Sequence, residues 1–367
     1  MFKLSSRRYT GAKTKLLSHI ESVFLKHLNA FDETKNLSFF DVFAGTGVVS
    51  EHFMKCFSSL KTQDKRLNDK IHFSRFLIND FLHSNFAIYQ GFFAKMPFEM
   101  SKLQGIAKTY KAINKKTLSA NYYSKAYGGL FFSDNDAKII GQIRDDLDTL
   151  LNAGQITQKE FYVLLASLIY STDRVANTVG HYDAYRKNAP LCNRFEFELI
   201  EPVCADFGVE IFKEDANVLA KNLAKTDDKI DLAFIDPPYN SRQYARFYHL
   251  LETLSKNDKP KLYGVAKKPA PELVSEYCKS GAKVAFENLV QSLAKCSKIL
   301  LVTYNNTYVS KSSSSHNKIT LEQIQGILST FGKVFKYEFD FKAFTSGKTE
   351  FSNHKEMIFV CELGKCK

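Results

Sequence analysis

The 367-residue sequence has no tryptophan and only eight prolines, and none of its seven cysteines stands in a C-x-x-C pair. The cysteines at 56, 192, 204, 278, 296, 361 and 366 are scattered and odd in number. That pattern excludes a disulfide framework and a zinc ribbon, and it fits a reducing cytoplasm. The nine histidines show neither H-E-x-x-H nor H-x-H spacing, so no metal site is expected. His27 and His249 read as helix-surface or packing residues. Long apolar runs are missing as well. The longest apolar-aromatic stretch, residues 161–170, contains Ser167 and is too short to span a bilayer. The opening MFKLSSRRYTGAK lacks an apolar core of signal-peptide length, so no membrane partner is expected. Arginine is scarce too, with 10 among the 51 basic residues.

What is present is an ordinary globular composition, 44% hydrophobic and 25% charged, long enough for two domains. Its net charge of +12 is unevenly spread. Residues 95–125 hold seven Lys against Glu99, and residues 242–270 hold two Arg and five Lys against Glu252 and Asp258. A solvated face accounts for either segment alone. Two such blocks on a balanced chain fit a polyanion, of which nucleic acid is the commonest.

The run LSFFDVF (37–43) reads as a buried strand, followed by the glycine turn AGTG (44–47) and a helix-compatible VVSEHFMKCF. Strand, glycine turn and helix open a nucleotide-binding α/β unit. Phe43, Gly45 and Gly47 of FAGTG are therefore candidate cofactor contacts, although the turn lacks a full G-x-G-x-x-G. A second strand ends at Asp80, where such folds place an acid on ribose hydroxyls. Further strands are expected at 209–216, 230–236, 298–306, 333–341 and 356–363, with helices at 242–255, 283–296 and 320–330. This alternation implies a mostly parallel sheet covered on both faces. Between the second and third strands lies a long insert with two helical patterns, the first capped by Ser133 or Asp134. The expected organisation is 1–80 with 206–367 as a catalytic domain, and 81–205 as a helical recognition insert. The serine-rich KSSSSHNK (311–318) is the one low-complexity patch and reads as mobile.

The sharpest feature is LAFIDPPYN (232–240), a buried strand ending on a carboxylate and two prolines. An exocyclic adenine amine is a poor nucleophile because its lone pair is delocalised into the ring. The Asp236 side chain and the Pro237 carbonyl are placed to accept both amino hydrogens and localise that lone pair. The rigidity of Pro237 and Pro238 fixes the two acceptors, and Tyr239 offers a face for a flipped base.

RYTGAK (8–13), DVFAGTG (41–47), LIND (77–80), DPPYNSRQY (236–244) and TYNN (303–306), in this order, resemble the D12-class, Dam-like α group of N6-adenine DNA methyltransferases. LLASLIYSTDRVANTVGHYDAYRK (164–187) and FYHLLETL (247–254) extend the likeness toward small type II modification methylases. The resemblance covers most of residues 7–310. It implies a class I, Rossmann-like S-adenosylmethionine-dependent sheet with a helical target-recognition insert. It implies S-adenosylmethionine as cofactor, double-stranded DNA as partner, a cognate restriction endonuclease as a candidate partner, and a cytoplasmic, nucleoid-associated site of action. By position, Tyr9 and Lys13 match the N-terminal cofactor motif, Asp80 the ribose acid, and Asp236 a residue touching cofactor and target. Asp215 in KEDA stands where related folds bind the cofactor's adenine. The Lys-rich 95–125 block departs from the pattern and bears on recognition rather than chemistry.

Scarce arginines carry information, because a planar guanidinium suits guanine edges and phosphates. Arg186 in GHYDAYR (180–186), with Tyr182, and Arg242, Tyr244 and Arg246 after DPPYN are candidate DNA contacts. Arg194 reads as a salt-bridge residue. Two other readings stay open: an RNA or protein amide N-methyltransferase with the same DPPY chemistry, and a non-catalytic DNA-binding relative.

Overall fold

The computed structural model describes residues 1–31, 36–57, 72–114, 117–203, 207–307, 316–340 and 354–364. Five residues of the serine-rich patch, 311–315, lie outside them. The chain divides into two compact units. A sheet unit comprises Gly11–Phe81, Ala205–Gln243 and Val274–Lys367. A helical unit comprises Met1–Thr10, Leu82–Cys204 and Tyr244–Leu273. Met1–Thr10 and Tyr244–Leu273, which the sequence reading places in the catalytic domain, cluster with the helical unit.

The sheet unit is a mixed seven-stranded α/β structure. Its strands are β1 (Leu37–Asp41), β2 (Phe73–Asn79), β3 (Gly208–Phe212), β4 (Ile230–Ile235), β5 (Ser297–Asn305), β6 (Gly332–Asp340) and β7 (Lys355–Leu363). Their order is β3-β2-β1-β4-β5-β7-β6. The first five run parallel, and β7 inserts antiparallel between β5 and β6. β4 is buried throughout, as continuous apolar runs in parallel sheets require. The helix Ala282–Cys296 buries Phe286, Leu289, Val290 and Leu293 in the same core as Phe40, Ala233 and Leu300. That i, i+3, i+4, i+7 spacing forms one apolar stripe, and each large side chain contributes about 1.5–3 kcal/mol.

In the helical unit, Ser133 caps Asp134–Asn152 by accepting from the Asp136 N–H, and Thr157 with Glu160 forms a reciprocal cap on Gln158–Val175. Helix His83–Phe93 lies against Gln158–Val175 at Gly91, where a Cβ would stand 2.7 Å from the Tyr162 carbonyl oxygen. The first residues join this unit through Phe2, whose N–H donates to Leu199 O (2.8 Å) and whose carbonyl accepts from Glu201 N (2.9 Å). Residues 244–256 join it through Glu252, whose carboxylate accepts from the N–H groups of His83 and Ser84 at 2.9 and 2.8 Å. The helix expected over 242–255 is two helices, Tyr244–Phe247 and His249–Lys256. None of the described helices is long and apolar enough to cross a membrane, and the five described cysteines are all unpaired.

Candidate active site

The strand order reverses between β1 and β4, the place where open α/β sheets leave a crevice at the carboxyl ends of their strands. Three acids stand there or one strand away: Asp41 ends β1, Asp80 follows β2, and Asp236 follows β4.

The glycine turn is built by backbone. Val42 N–H donates to Phe234 O and Ala44 N–H to Asn79 O, at 3.0 and 2.9 Å. Gly45 and Gly47 then adopt φ of 54° and 78°, which any side chain would strain. Gly45 N–H points to Asp80 Oδ2 at 3.1 Å. Asn79 braces three segments at once. Its amide donates to Val42 O and Glu214 O, and its carbonyl oxygen accepts from Glu214 N–H, at 3.1–3.2 Å.

At the end of β4 the Asp236 carboxylate is a hub. Oδ1 accepts the hydroxyls of Tyr239 (2.6 Å) and Thr303 (2.8 Å), and Oδ2 pairs with Lys13 Nζ at 2.9 Å. The register sets Ile235 beside Val302, so Thr303 is the neighbour of Asp236 across the β4–β5 edge. Lys13 Nζ also lies 4.9 Å from the Tyr239 ring centroid, and that ring leans on Tyr304 at 4.5 Å. Pro237 is buried and Tyr239 half-buried.

The charges respond to this crowding. Burial, opposed by the Ser50 hydroxyl bond and reinforced by Asp236 and Asp80, pushes Asp41 up to about 7. Its Oδ2 takes the Ser50 hydroxyl at 2.7 Å, while its buried Oδ1 has no hydrogen-bond partner. Burial works against a charged Lys13, but Asp236 and Glu356 outweigh it and raise the ammonium above its ordinary value. Burial and then Asp236 hold the Tyr239 phenol well above the usual range.

Of the sequence-derived candidates, the sheet unit holds Lys13, Phe43, Gly45, Gly47, Asp80, Asp215, Asp236 to Tyr239 and Arg242. Lys13 was expected from a distant N-terminal motif, and it meets Asp236 directly. Phe43 packs edge-on to Tyr277 with centroids 5.0 Å apart. Asp215 is exposed and caps helix Ala216–Leu223, its Oδ1 accepting from Asn217 and Val218 N–H. Arg242 N–H donates to Asn240 Oδ1 at 3.1 Å, and Cys278 Sγ meets its carbonyl at 3.3 Å.

Tyr9 belongs to the helical unit, where it stacks on Tyr248 (4.7 Å, 5°) and Tyr244 (5.5 Å, 27°). Tyr182 corrects the expectation of a duplex contact. It is fully buried, and its hydroxyl donates to Asp173 Oδ1 at 2.9 Å, so its ring packs and presents no open face. Arg186 is exposed, with its carbonyl held by Asn177 Nδ2 at 3.1 Å. Arg246 donates to Pro269 O at 2.7 Å. Arg194 is anchored, its N–H on Asp136 Oδ2 and its guanidinium on Val175 O. Sequence reading passed over Thr303, Asn79 and Asp41. TYNN and LIND contained the signal for the first two, since each motif stands at a strand end beside DPPY or AGTG.

The family model described as D12 class N6 adenine-specific DNA methyltransferase matches residues 9–327. Modification methylase StsI of Streptococcus sanguinis is 31% identical over 329 residues, covering 88% of this chain and 47% of the relative. Modification methylase LlaI of Lactococcus lactis subsp. lactis is 28% identical over 334 residues, covering 88% and 49%. Type II methyltransferase M.NlaIII of Neisseria lactamica is 27% identical over 356 residues, covering 95% of each chain. The chain therefore spans about half the length of the StsI and LlaI methylases and nearly all of M.NlaIII.

Proposed function

The chain belongs to the D12 class of N6 adenine-specific DNA methyltransferases, and from this we propose that it methylates N6 of an adenine flipped out of a short double-stranded DNA site. The methyl donor in this reading is S-adenosylmethionine, and the sheet is of the class I, Rossmann-like kind. The observation that carries the proposal is the convergence of Lys13, Tyr239 and Thr303 on the Asp236 carboxylate, at the sheet's reversal and next to the β1 glycine turn. The names of the relatives favour membership of a restriction–modification pair, with an endonuclease as partner.

The glycine turn at 45–47 permits close backbone approach to a ligand, and Asp80, which accepts from Gly45 N–H, is suited to ribose hydroxyls. With Asp215 Oδ1 committed to its helix, Oδ2 is the oxygen left for the cofactor's adenine amine. Tyr9 is assigned only a stacking ring, since its hydroxyl meets Asn85 Nδ2. S-adenosylmethionine, when bound, would supply a sulfonium-bound methyl group to the amine nitrogen, sulfur keeping the bonding pair and the surplus amino proton passing to water by way of the Asp236 carboxylate.

The protein's part is to make the amine nitrogen available. Asp236 Oδ2 and the Pro237 carbonyl each accept one amino hydrogen, drawing the nitrogen toward tetrahedral geometry. Tyr239 and Thr303 hold Oδ1, so the carboxylate cannot rotate away, and Lys13 fixes Oδ2 from the other side. Such preorganised groups act most strongly in the transition state. Arg186, Arg242, Tyr244 and Arg246 are assigned to duplex contact. The test is transfer of tritium from labelled S-adenosylmethionine to duplex DNA, RNA and protein in parallel, followed by mapping of methylated adenines. Label on DNA with N6-methyladenine at a fixed site is expected. Label on RNA or protein alone overturns the reading.

A further inference from the structure

We propose that Glu21, His52 and Cys56 form a zinc-binding site in the sheet unit, which ties the helix after Lys13 to the helix after the glycine turn. Glu21 lies on helix Leu17–Lys26, and His52 and Cys56 lie one turn apart on Val48–Phe57. One oxygen, one nitrogen and one sulfur converge: Glu21 Oε2 to His52 Nε2 is 2.8 Å, His52 Nε2 to Cys56 Sγ 3.7 Å, and Cys56 Sγ to Glu21 Oε2 3.9 Å. Zinc bonds of about 2.3 Å to sulfur and about 2.0–2.1 Å to nitrogen and oxygen, set tetrahedrally, require edges near ~3.5, ~3.5 and ~3.3 Å. The triangle is thus closed to within about half an ångström per edge, adjustments within side-chain reach. An ion pair between Glu21 and His52 accounts for the shortest edge, and the Cys56 thiol donates toward Glu21. The i, i+4 spacing sets Cys56 beside the His52 ring, 3.9 Å from Nδ1 as well as 3.7 Å from Nε2. The proposal rests on all three donors meeting at one point.

The donor chemistry agrees. A thiolate, a neutral imidazole and a carboxylate balance a divalent charge, and thiolate selects zinc over magnesium or calcium. Coordination releases the Cys56 thiol proton and leaves the imidazole proton on Nδ1, freeing the Nε2 lone pair. Glu21, His52 and Cys56 are all only partly buried, so an ion can reach them from solvent. Helix Leu17–Lys26 follows the Lys13–Lys15 turn, and helix Val48–Phe57 begins directly after Gly47. An ion joining them fixes the two elements that carry Lys13 and the AGTG backbone.

The test uses the full chain, stripped of metal and titrated with Zn²⁺ against a chromophoric chelator, and separately with Co²⁺ for its thiolate charge-transfer absorption. One equivalent of zinc, a cobalt–thiolate band and a rise in Tm are expected. Cys56→Ala should abolish the band, and His52→Ala and Glu21→Gln should weaken zinc binding by at least about tenfold. Cys192→Ala, which removes an exposed thiol elsewhere, should change neither. A wild-type chain that takes up no zinc, or a Cys56→Ala chain that keeps the band and the affinity, overturns the proposal. The Tm of each metal-free variant shows whether it has folded, and zinc loss with an unchanged metal-free Tm counts only for coordination.

Discussion

In the sheet unit, charge is gathered and fixed: Asp41, Asp80 and Asp236 stand at three strand ends, and Lys13 is held against one of them. In the helical unit it is surplus and spread, with 23 Lys and Arg against 15 Asp and Glu, and with Lys95, Lys108, Lys111, Lys125 and Arg186 exposed. The sheet unit, with 28 against 24, carries only +4 of the +12. The contrast separates two physical tasks. Activating an amine needs acceptors at fixed spacing in a place poor in water, where a shift of an ångström is costly. Holding a polyanion needs a field, which scattered surface cations supply and which salt screens. The comparison implies that substitutions in one unit should move turnover and those in the other should move DNA affinity.

The largest effect is expected from Asp236→Ala. Turnover should fall about 10²–10³-fold, with duplex affinity by fluorescence anisotropy unchanged. A parallel loss of DNA affinity would break the division between the units. Lys13→Ala removes the cation from Asp236 Oδ2, and hydrogen bonds to charged groups are worth about 1.5–3 kcal/mol, or roughly 10- to 150-fold. It should raise the S-adenosylmethionine Kd in calorimetry and lower turnover together, where a cofactor-only lysine would move the first alone.

Arg186→Ala is the counterpart in the helical unit. It should cost about 1–3 kcal/mol in DNA binding and leave turnover at saturating DNA intact. Loss confined to the cognate duplex marks a base contact, and uniform loss with a flatter salt slope marks a phosphate contact. Tyr239→Phe keeps the ring and removes one donor from Asp236 Oδ1. From sequence the change is expected to be mild, because a stacking role needs only the ring; the bond to Asp236 puts the expected fall in turnover at about 2- to 10-fold.

A separate effect, read on stability and not on turnover, comes from Asp41. The Asp41 carboxyl, raised to about 7, binds a proton in the folded chain that the unfolded chain releases near its ordinary value of 3.8. Its contribution is full below about pH 4 and is lost as pH rises through about 7. Asp41→Asn should flatten this part of the pH–Tm curve, and the gap between mutant and wild type should widen from pH 5 to pH 8. A constant gap would show that the fixed charges of the strand ends are not coupled as described.

The same contrast explains what the sequence made legible. Strand β1, the glycine turn, β4 and Asp236 were readable because short-range rules fix them: apolar runs, glycines at positive φ, and prolines after an acid. The insert's capped helices were readable for the same reason. Thr303 escaped notice because its role depends on the β4–β5 register, and Asn79 because it braces segments 135 residues apart. Tyr182 misled because a loop rich in polar and aromatic residues looks exposed, whereas Asp173 gives its hydroxyl a buried partner. Helix 242–255 hid a break at Tyr248, whose hydroxyl accepts from Thr10 N–H at 2.8 Å. Glu21, His52 and Cys56 meet only because two helices pack together, and an H-x-x-x-C spacing alone carries little weight.

The insertion of β7 between β5 and β6 imposes an order on strand pairing. β5 and β6 are consecutive in the chain yet cannot pair, and each waits for residues 355–363. At roughly 5–20 residues per second, the span from Asn305 to Lys355 takes the ribosome about 3–10 s. During that interval β5, apolar from Ile299 to Val302, offers a bare hydrogen-bonding edge beside a nearly finished parallel sheet. Such an edge is a template for a strand of any neighbouring chain. A nascent chain that stalls before Lys355 would leave that edge open to pair with another chain.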